Sequence, residues 1–289
     1  MISKYGKPDV AWTEMVSCDG IIHKDAQDKL LKDLVYSEEE RPIIAQVFGS
    51  NPDNCRETAK IIKKLGFDGI DINMGCPDKN INKQGAGAAM IKTPELAKEI
   101  IKAVKEGSGD MPVSVKTRIG FSKNEIETWL PVLLEAKPSA ITIHGRTRKE
   151  MSKVAAHWDV IKRGVEIAKG SGVLIIGNGD VKNIEEGKKR AEESGVDGIM
   201  IGRGIFGNPW LFNEKIKKED LSLDEILKVV AEHARLFEKL LGGKKSFLTM
   251  RKHISSYISG FTGAKELRMK LMEAESADEI EEVVESYIK

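Results

Sequence analysis

The sequence predicts an α/β protein: a (β/α)8 TIM-type barrel over residues 1–215 whose first strand is missing, followed by a small helical domain over residues 216–289. Three observations predict it. Strand-like stretches alternate with helical ones, the pattern of βαβ units that build a parallel sheet. Polar residues recur at one place in these units, late in a strand or just past it: Gln46, Asn73 with Cys76, Lys116, His144, Asn178 and Arg203. In such a barrel those positions gather on the C-terminal face, where chemistry is done. The last stretch of chain carries helix stripes and caps but no strand pattern.

Taken in order, residues 2–6 read as the end of a helix stopping at Gly6, and 11–16 as a strand. Residues 43–48 form a second strand closed by Gly49. Asn51-Pro52 is an N-cap followed by proline at N1, opening a helix that ends at Gly66 and carries Cys55, Ala59 and Ile62 on one face. Cys55 is therefore expected in the core. In residues 69–77, Ile70 and Ile72 alternate with Asp71 and Asn73, and the strand runs out into the turn Gly75-Cys76-Pro77. Thr93-Pro94 opens a helix with Leu96, Ile100, Ile101 and Val104 facing inward. Residues 112–118, 140–144, 173–176 and 198–201 are the remaining strands. Asn183 with Glu186 and Ser222 with Glu225 are capping-box pairs. The barrel is expected to end near Trp210-Leu211-Phe212.

The bulk numbers narrow the class. At 289 residues, 40% hydrophobic and 31% charged, the chain is ordinary for a globular protein. No apolar run approaches the ~20 residues of a membrane helix, and residues 1–6 lack a signal-peptide core. Cys18, Cys55 and Cys76 are odd in number and widely spaced, so neither a disulfide framework nor a metal site is indicated. A reducing cytoplasm fits that usage. The net charge of +1 exerts no global pull on nucleic acid.

Cys76 is the sharpest candidate. A free cysteine is most often a small apolar residue, but Gly75 and Pro77 hold this one on a rigid corner at a strand end. Gly177-Asn178-Gly179 and Gly202-Arg203-Gly204 end the last two strands, where such barrels bind phosphate through backbone N–H groups. Together with the arginine they suggest a phosphorylated cofactor. In the helical domain, Lys244, Lys245, Arg251, Lys252, Lys265, Arg268 and Lys270 face the single acid Glu266; from Leu271 onward seven acids face Lys289. Most charge runs are solvated helix faces. This one also holds His253, Tyr257 and Phe261, a composition suited to nucleic acid.

Asn73-Met74-Gly75-Cys76-Pro77, Val115-Lys116-Thr117-Arg118, Ile143-His144-Gly145-Arg146-Thr147, Gly177-Asn178-Gly179-Asp180 and Gly202-Arg203-Gly204 resemble, in order and spacing, the tRNA-dihydrouridine synthase family. Arg251-Lys252-His253 and Tyr257 resemble that family's tRNA-binding helices. The resemblance implies a monomeric FMN enzyme that reduces a uridine in tRNA to 5,6-dihydrouridine, with NADPH as reductant. It implies hydride from flavin N5 to C6 of the uracil and a proton from Cys76 to C5; a thiol with an ordinary pKa of ~8.5 is protonated at neutral pH and so can act as general acid. By the same resemblance Asn73 and Arg146 contact the substrate, Arg251, Lys252, His253 and Tyr257 contact tRNA, and Gln46, Lys116, His144, Asn178, Gly179, Asp180, Gly202 and Arg203 hold the FMN.

One departure stands out. The family begins with a strand ending in an Ala-Pro-Met type turn, and here only seven barrel strands are found. A barrel short of a strand exposes two edges, so weaker FMN retention and lower stability are expected. Two other readings remain: an FMN-dependent reductase of a free small molecule, against which the basic C-terminal segment argues, and a tRNA-binding protein without redox activity.

Overall fold

The computed structural model describes residues 1–243 and 245–288; Lys244 and Lys289, counted above among the charged residues, lie outside the described residues. In chain order the strands are β1 (Ala11–Trp12), β2 (Val16–Ser17), β3 (Ile43–Phe48), β4 (Gly69–Met74), β5 (Val113–Arg118), β6 (Ala140–His144), β7 (Leu174–Asn178) and β8 (Gly198–Met200). The helices are α1 (Ile2–Tyr5), α2 (Cys18–Ile22), α3 (Lys24–Leu31), α4 (Pro52–Lys64), α5 (Lys79–Lys83), α6 (Pro94–Ser108), α7 (Ile126–Glu135), α8 (Trp158–Ala168), α9 (Ile184–Ser194), α10 (Leu223–Leu241), α11 (Met250–Tyr257), α12 (Ala264–Glu273) and α13 (Ala277–Tyr287).

The chain forms two compact units, one of residues Asp9–Gly202 and one of Met1–Pro8 with Arg203–Lys289. The first is a TIM-like parallel sheet with helical crossovers. Strand order is β1-β3-β4-β5-β6-β7-β8, all parallel, with β2 also on β3. β1 pairs with the start of β3 (Ala11 with Ile43) and β2 with its end (Val16 with Val47), so both lie in one lane. The single strand expected over 11–16 is thus split. Three residues, Thr13 to Met15, face two on β3, Ala45 and Gln46, a one-residue excess of the kind that makes a bulge. Thr13 N–H still donates to Ile44 O (3.0 Å), and Thr13 Oγ1 accepts from Gln46 N–H (3.0 Å).

The register divides the sheet into two chemically distinct faces. Residues paired across parallel strands share a face, and alternate residues along a strand change face. Ala45, Val47, Ile70, Ile72, Val113, Val115, Ile141, Ile143 and Ile175 fall on one side and are all buried. That side lies under the helices: Trp129 Nε1 of α7 donates to Thr117 Oγ1 (2.9 Å), and a Cβ on Gly177 would sit 2.6 Å from the Trp158 ring of α8. The opposite side carries Gln46, Asp71, Asn73, Ser114, Lys116, Arg118, Thr142, His144 and Asn178. A barrel interior is ordinarily filled with aliphatic side chains; this inner face is polar for most of its length.

The second unit has its own core, including Trp210, Leu227, Phe237, Ile254, Tyr257, Leu271 and Ile280. Ser222 and Glu225 make the expected reciprocal cap of α10. Asn183 Oδ1 accepts from Glu186 N–H (2.8 Å), but the Glu186 carboxylate takes the N–H of Lys182 (3.1 Å) instead of the N-cap's own, half of the expected box. The division between units differs from a boundary at 215. Trp210 of the second unit's core packs edge-on against Tyr5 (5.3 Å between centroids), and α1 and the 203–215 segment belong to the helical unit.

Candidate active site

Five adjacent strands bring the polar residues together. The register sets Gln46 beside Asp71, Asn73 beside Lys116, Arg118 beside His144, and His144 beside Asn178. Gln46, Asn73, Cys76, Lys116, His144 and Asn178, predicted from their places at strand ends, thus share one face or the corner above it.

At the Cys76 corner, the N–H and C=O groups of Gly75 and Cys76 are all bonded. Asn73 Oδ1 accepts from the N–H of Gly75 (3.1 Å) and of Cys76 (2.8 Å). Arg118 Nε donates to Gly75 O (2.7 Å). Cys76 O accepts from Asn82 Nδ2 (2.8 Å) and from Ala88 N–H (3.0 Å). Arg118 is buried and also donates from Nη1 to Thr147 O (3.1 Å), linking this corner to the loop after β6. Gly87 backs the corner at φ +62°; a Cβ there would lie 2.9 Å from Cys76 O and 3.1 Å from Cys76 Cβ. Cys76 itself is partly exposed, while Cys18 and Cys55 are buried. Cys55 is the core residue its helix face predicts.

Charge on this face is tuned by burial. Desolvation lowers the Lys116 ammonium to about 8, and the nearby Asp71 carboxylate opposes that shift. Lys116 Nζ donates to Asn178 Oδ1 over 3.3 Å, and Asn178 Nδ2 donates to Met200 O (2.8 Å). Burial, then the cations Lys116, Arg118 and Arg146, push His144 down to about 2, so its ring is neutral at physiological pH. Arg146 Nη1 lies 3.2 Å from His144 Nε2. Arginine has no acceptor, so Nε2 must accept and the proton sits on Nδ1. Burial also lowers Arg118 to about 10. Asp71, fully buried, is pushed up by desolvation against its bonds from Ser114 and Gln46.

Several expected contact residues are placed otherwise. Arg146 is buried: its Nε donates to Val154 O (2.6 Å) and its Nη2 to the Asp180 carboxylate. Asp180 also accepts from Ala156 N–H (2.9 Å). Buried Arg146 and partly exposed Asp180 therefore form an ion pair beside His144. Gly179 adopts φ +133°, and a Cβ there would lie 2.7 Å from Ala156 Cβ and 3.2 Å from His144 Cδ2. Gly202 ends the first unit and Arg203 begins the second. In the helical unit Lys252 is exposed and Arg251 half-buried. His253 packs against His233 (5.2 Å) and Phe206 (6.1 Å). Tyr257 is only 4% exposed, with its hydroxyl 3.3 Å from His233 Nδ1. It is a core residue, unavailable for stacking on a base, which corrects its expected place on an RNA surface. Asp71, Ser114 and Arg118 had no predicted role; the alternation that put Asn73 on a face puts Asp71 on the same one.

The family model described as Dihydrouridine synthase (Dus) matches residues 1–289. The chain belongs to the dihydrouridine synthase family. It is 38% identical over 291 residues to a probable tRNA-dihydrouridine synthase of Staphylococcus aureus (strain COL), covering 99% of this chain and 88% of the relative. It is 38% identical over 293 residues to probable tRNA-dihydrouridine synthase 2 of Bacillus subtilis (strain 168), with the same coverage. Among solved structures it is similar to 6-hydroxypseudooxynicotine amine oxidase from Pseudomonas geniculata N1 (TM-score 0.55, 14% identity, 74% of this chain and 43% of that one). It is also similar to morphinone reductase in complex with tetrahydroNAD (TM-score 0.50, 13% identity, 73% and 78%). These two likenesses speak for the fold. Among the described residues no helix is long and apolar enough to cross a membrane, and no cluster of histidine, cysteine and carboxylate side chains could hold a metal ion.

Proposed function

We propose that the protein reduces a uridine of tRNA to 5,6-dihydrouridine, with FMN bound on the polar inner face and NADPH as reductant. Family membership supports the reaction. The observation that carries the site assignment is the Cys76 corner, whose four backbone groups are all fixed, standing above a face of cationic and neutral donors.

The residues present suit a flavin. Lys116 offers an ammonium with one long protein partner, His144 an Nδ1–H, and Gly179 a backbone position with no room for a side chain. Lys116, His144 and Gln46 would hold the ring system, and Asn178, Gly179 and Gly202 the phosphate. Asp180 is left out, since Arg146 and Ala156 engage its carboxylate. The flavin, when bound, supplies the hydride that adds to C6 of the uracil. Lys116 stabilises negative charge beside it, and its lowered affinity for a proton leaves it mostly charged at pH 7. His144 donates without bringing a second full charge. Cys76 Sγ–H gives its proton to C5, and the fixed corner sets where the sulfur stands when the base arrives. The base must leave its stack, at roughly a few kcal/mol, which contacts to the tRNA backbone from Lys252 and its basic neighbours would offset.

The test is the visible spectrum of the purified protein before and after anaerobic NADPH, followed by dihydrouridine analysis of unmodified tRNA. A flavin spectrum that bleaches, and dihydrouridine in tRNA, are expected. Equal reduction of free uridine and tRNA would favour a small-molecule reductase instead.

A further inference from the structure

Behind the Cys76 corner runs an unbroken line of hydrogen bonds whose far end is a buried carboxylate. Ser114 Oγ donates to Asp71 Oδ1 (2.6 Å), and Gln46 Nε2 donates to Asp71 Oδ2 (2.7 Å). Gln46 Oε1 accepts from Asn73 Nδ2 (2.9 Å). Asn73 Oδ1 then accepts from both N–H groups of the corner. The other N–H of Asn73 Nδ2 points to Met15 Sδ (3.4 Å). An amide side chain has two donors and two acceptor positions, so Asn73 is fully committed to the protein.

The line has a direction. At one end two backbone N–H groups can only donate, so Asn73 must turn its oxygen to them. Its NH2 then faces Gln46, which must answer with oxygen and turn its own NH2 onward. Only an acceptor at position 71 closes such a line. A carboxylate does so in either rotamer, whereas a donor there would reverse both amides and set an NH2 against the corner's N–H groups.

We propose that Asp71 is a positioning residue: through Gln46 and Asn73 it fixes the orientation of two amides and thereby holds the Gly75–Cys76 backbone, and with it the sulfur, in place. In that line Asn73 supports Cys76 from behind. The positioning role rests on the reading of Cys76 as proton donor, but its physical content, the hold on the corner, does not.

The test is amide hydrogen exchange of Gly75 and Cys76 in the protein as purified, for the wild type, Asp71→Asn, Asp71→Leu and Gln46→Met. Asp71→Asn can still turn its oxygen toward Gln46, so exchange at the corner should stay within about twofold of wild type. In Asp71→Leu and Gln46→Met it should quicken by about tenfold, the effect of losing one net hydrogen bond, while exchange in β3 and β5 is unchanged. If Asp71→Leu does not fold, Gln46→Met alone carries the comparison. Wild-type exchange rates at Gly75 and Cys76 in Gln46→Met, or a loss in Asp71→Asn as large as in Asp71→Leu, would overturn the proposal. A protein that makes no dihydrouridine yet shows this exchange pattern would sink the functional reading and leave the positioning role standing.

Discussion

His144 shows how a single side chain reports on the inner face. Its folded pKa of about 2 lies far below the ordinary 6.5. The unfolded chain therefore binds a proton below pH 6.5 that the folded ring refuses, and stability present above that pH is lost as pH falls through it. By pH 5 this one group costs up to roughly 2 kcal/mol. Urea unfolding of His144→Gln at pH 7 and pH 5 should show a smaller acid loss than the wild type; an equal loss in both would contradict the placement. That His144 lies at a strand end was legible in the sequence. What it touches was not. Arg146 meets Asp180 across 34 positions, and such a pairing depends on inter-strand register, which no local pattern encodes. Tyr257 failed for a related reason. Its neighbours are basic, but its own face of α11 turns into the core, and the packing partner, His233, lies on another helix.

Under the proposed function, the element that decides the chemistry is the loop pair after β4. The Gly75-Cys76-Pro77 turn could be read as a rigid corner from composition alone. Its back wall could not, because Gly87 lies 11 positions on and meets Cys76 only through the fold. Gly87→Ala forces an alanine to φ +62° and brings its methyl to 2.9 Å from Cys76 O. Backbone strain alone costs about 1–2 kcal/mol, so melting should fall by a few degrees. Turnover on tRNA should fall more than tenfold because the sulfur is displaced. Wild-type turnover with lowered stability would show that the corner tolerates movement. The strands themselves were legible, since aliphatic and polar residues alternate with period two. The exception, β1 with β2, carries one extra residue, and a bulge breaks the very alternation that reveals a strand.

For the whole molecule, a net charge of +1 means that any hold on tRNA is local. Under the proposed function, the exposed Lys252 of α11 belongs to the stretch that would supply it. Lys252→Glu should weaken tRNA binding and reduce the slope of log affinity against log salt by about 1; an unchanged slope would move the contact elsewhere. The two-part organisation was legible from the change of periodicity near residue 215. Its boundary was not, because Trp210 and Tyr5 reveal their contact only when both ends of the chain are seen together.

The proposed function turns on one step, protonation by Cys76 of a uracil reduced on the polar face. It is tested most directly by mixing NADPH-reduced protein with unmodified tRNA without oxygen and following flavin reoxidation in the wild type and Cys76→Ala. Loss of the general acid should slow tRNA-driven reoxidation by about 10²–10⁴-fold while reduction by NADPH proceeds at the wild-type rate. Reoxidation of Cys76→Ala at the wild-type rate, with dihydrouridine formed, would contradict that role for Cys76.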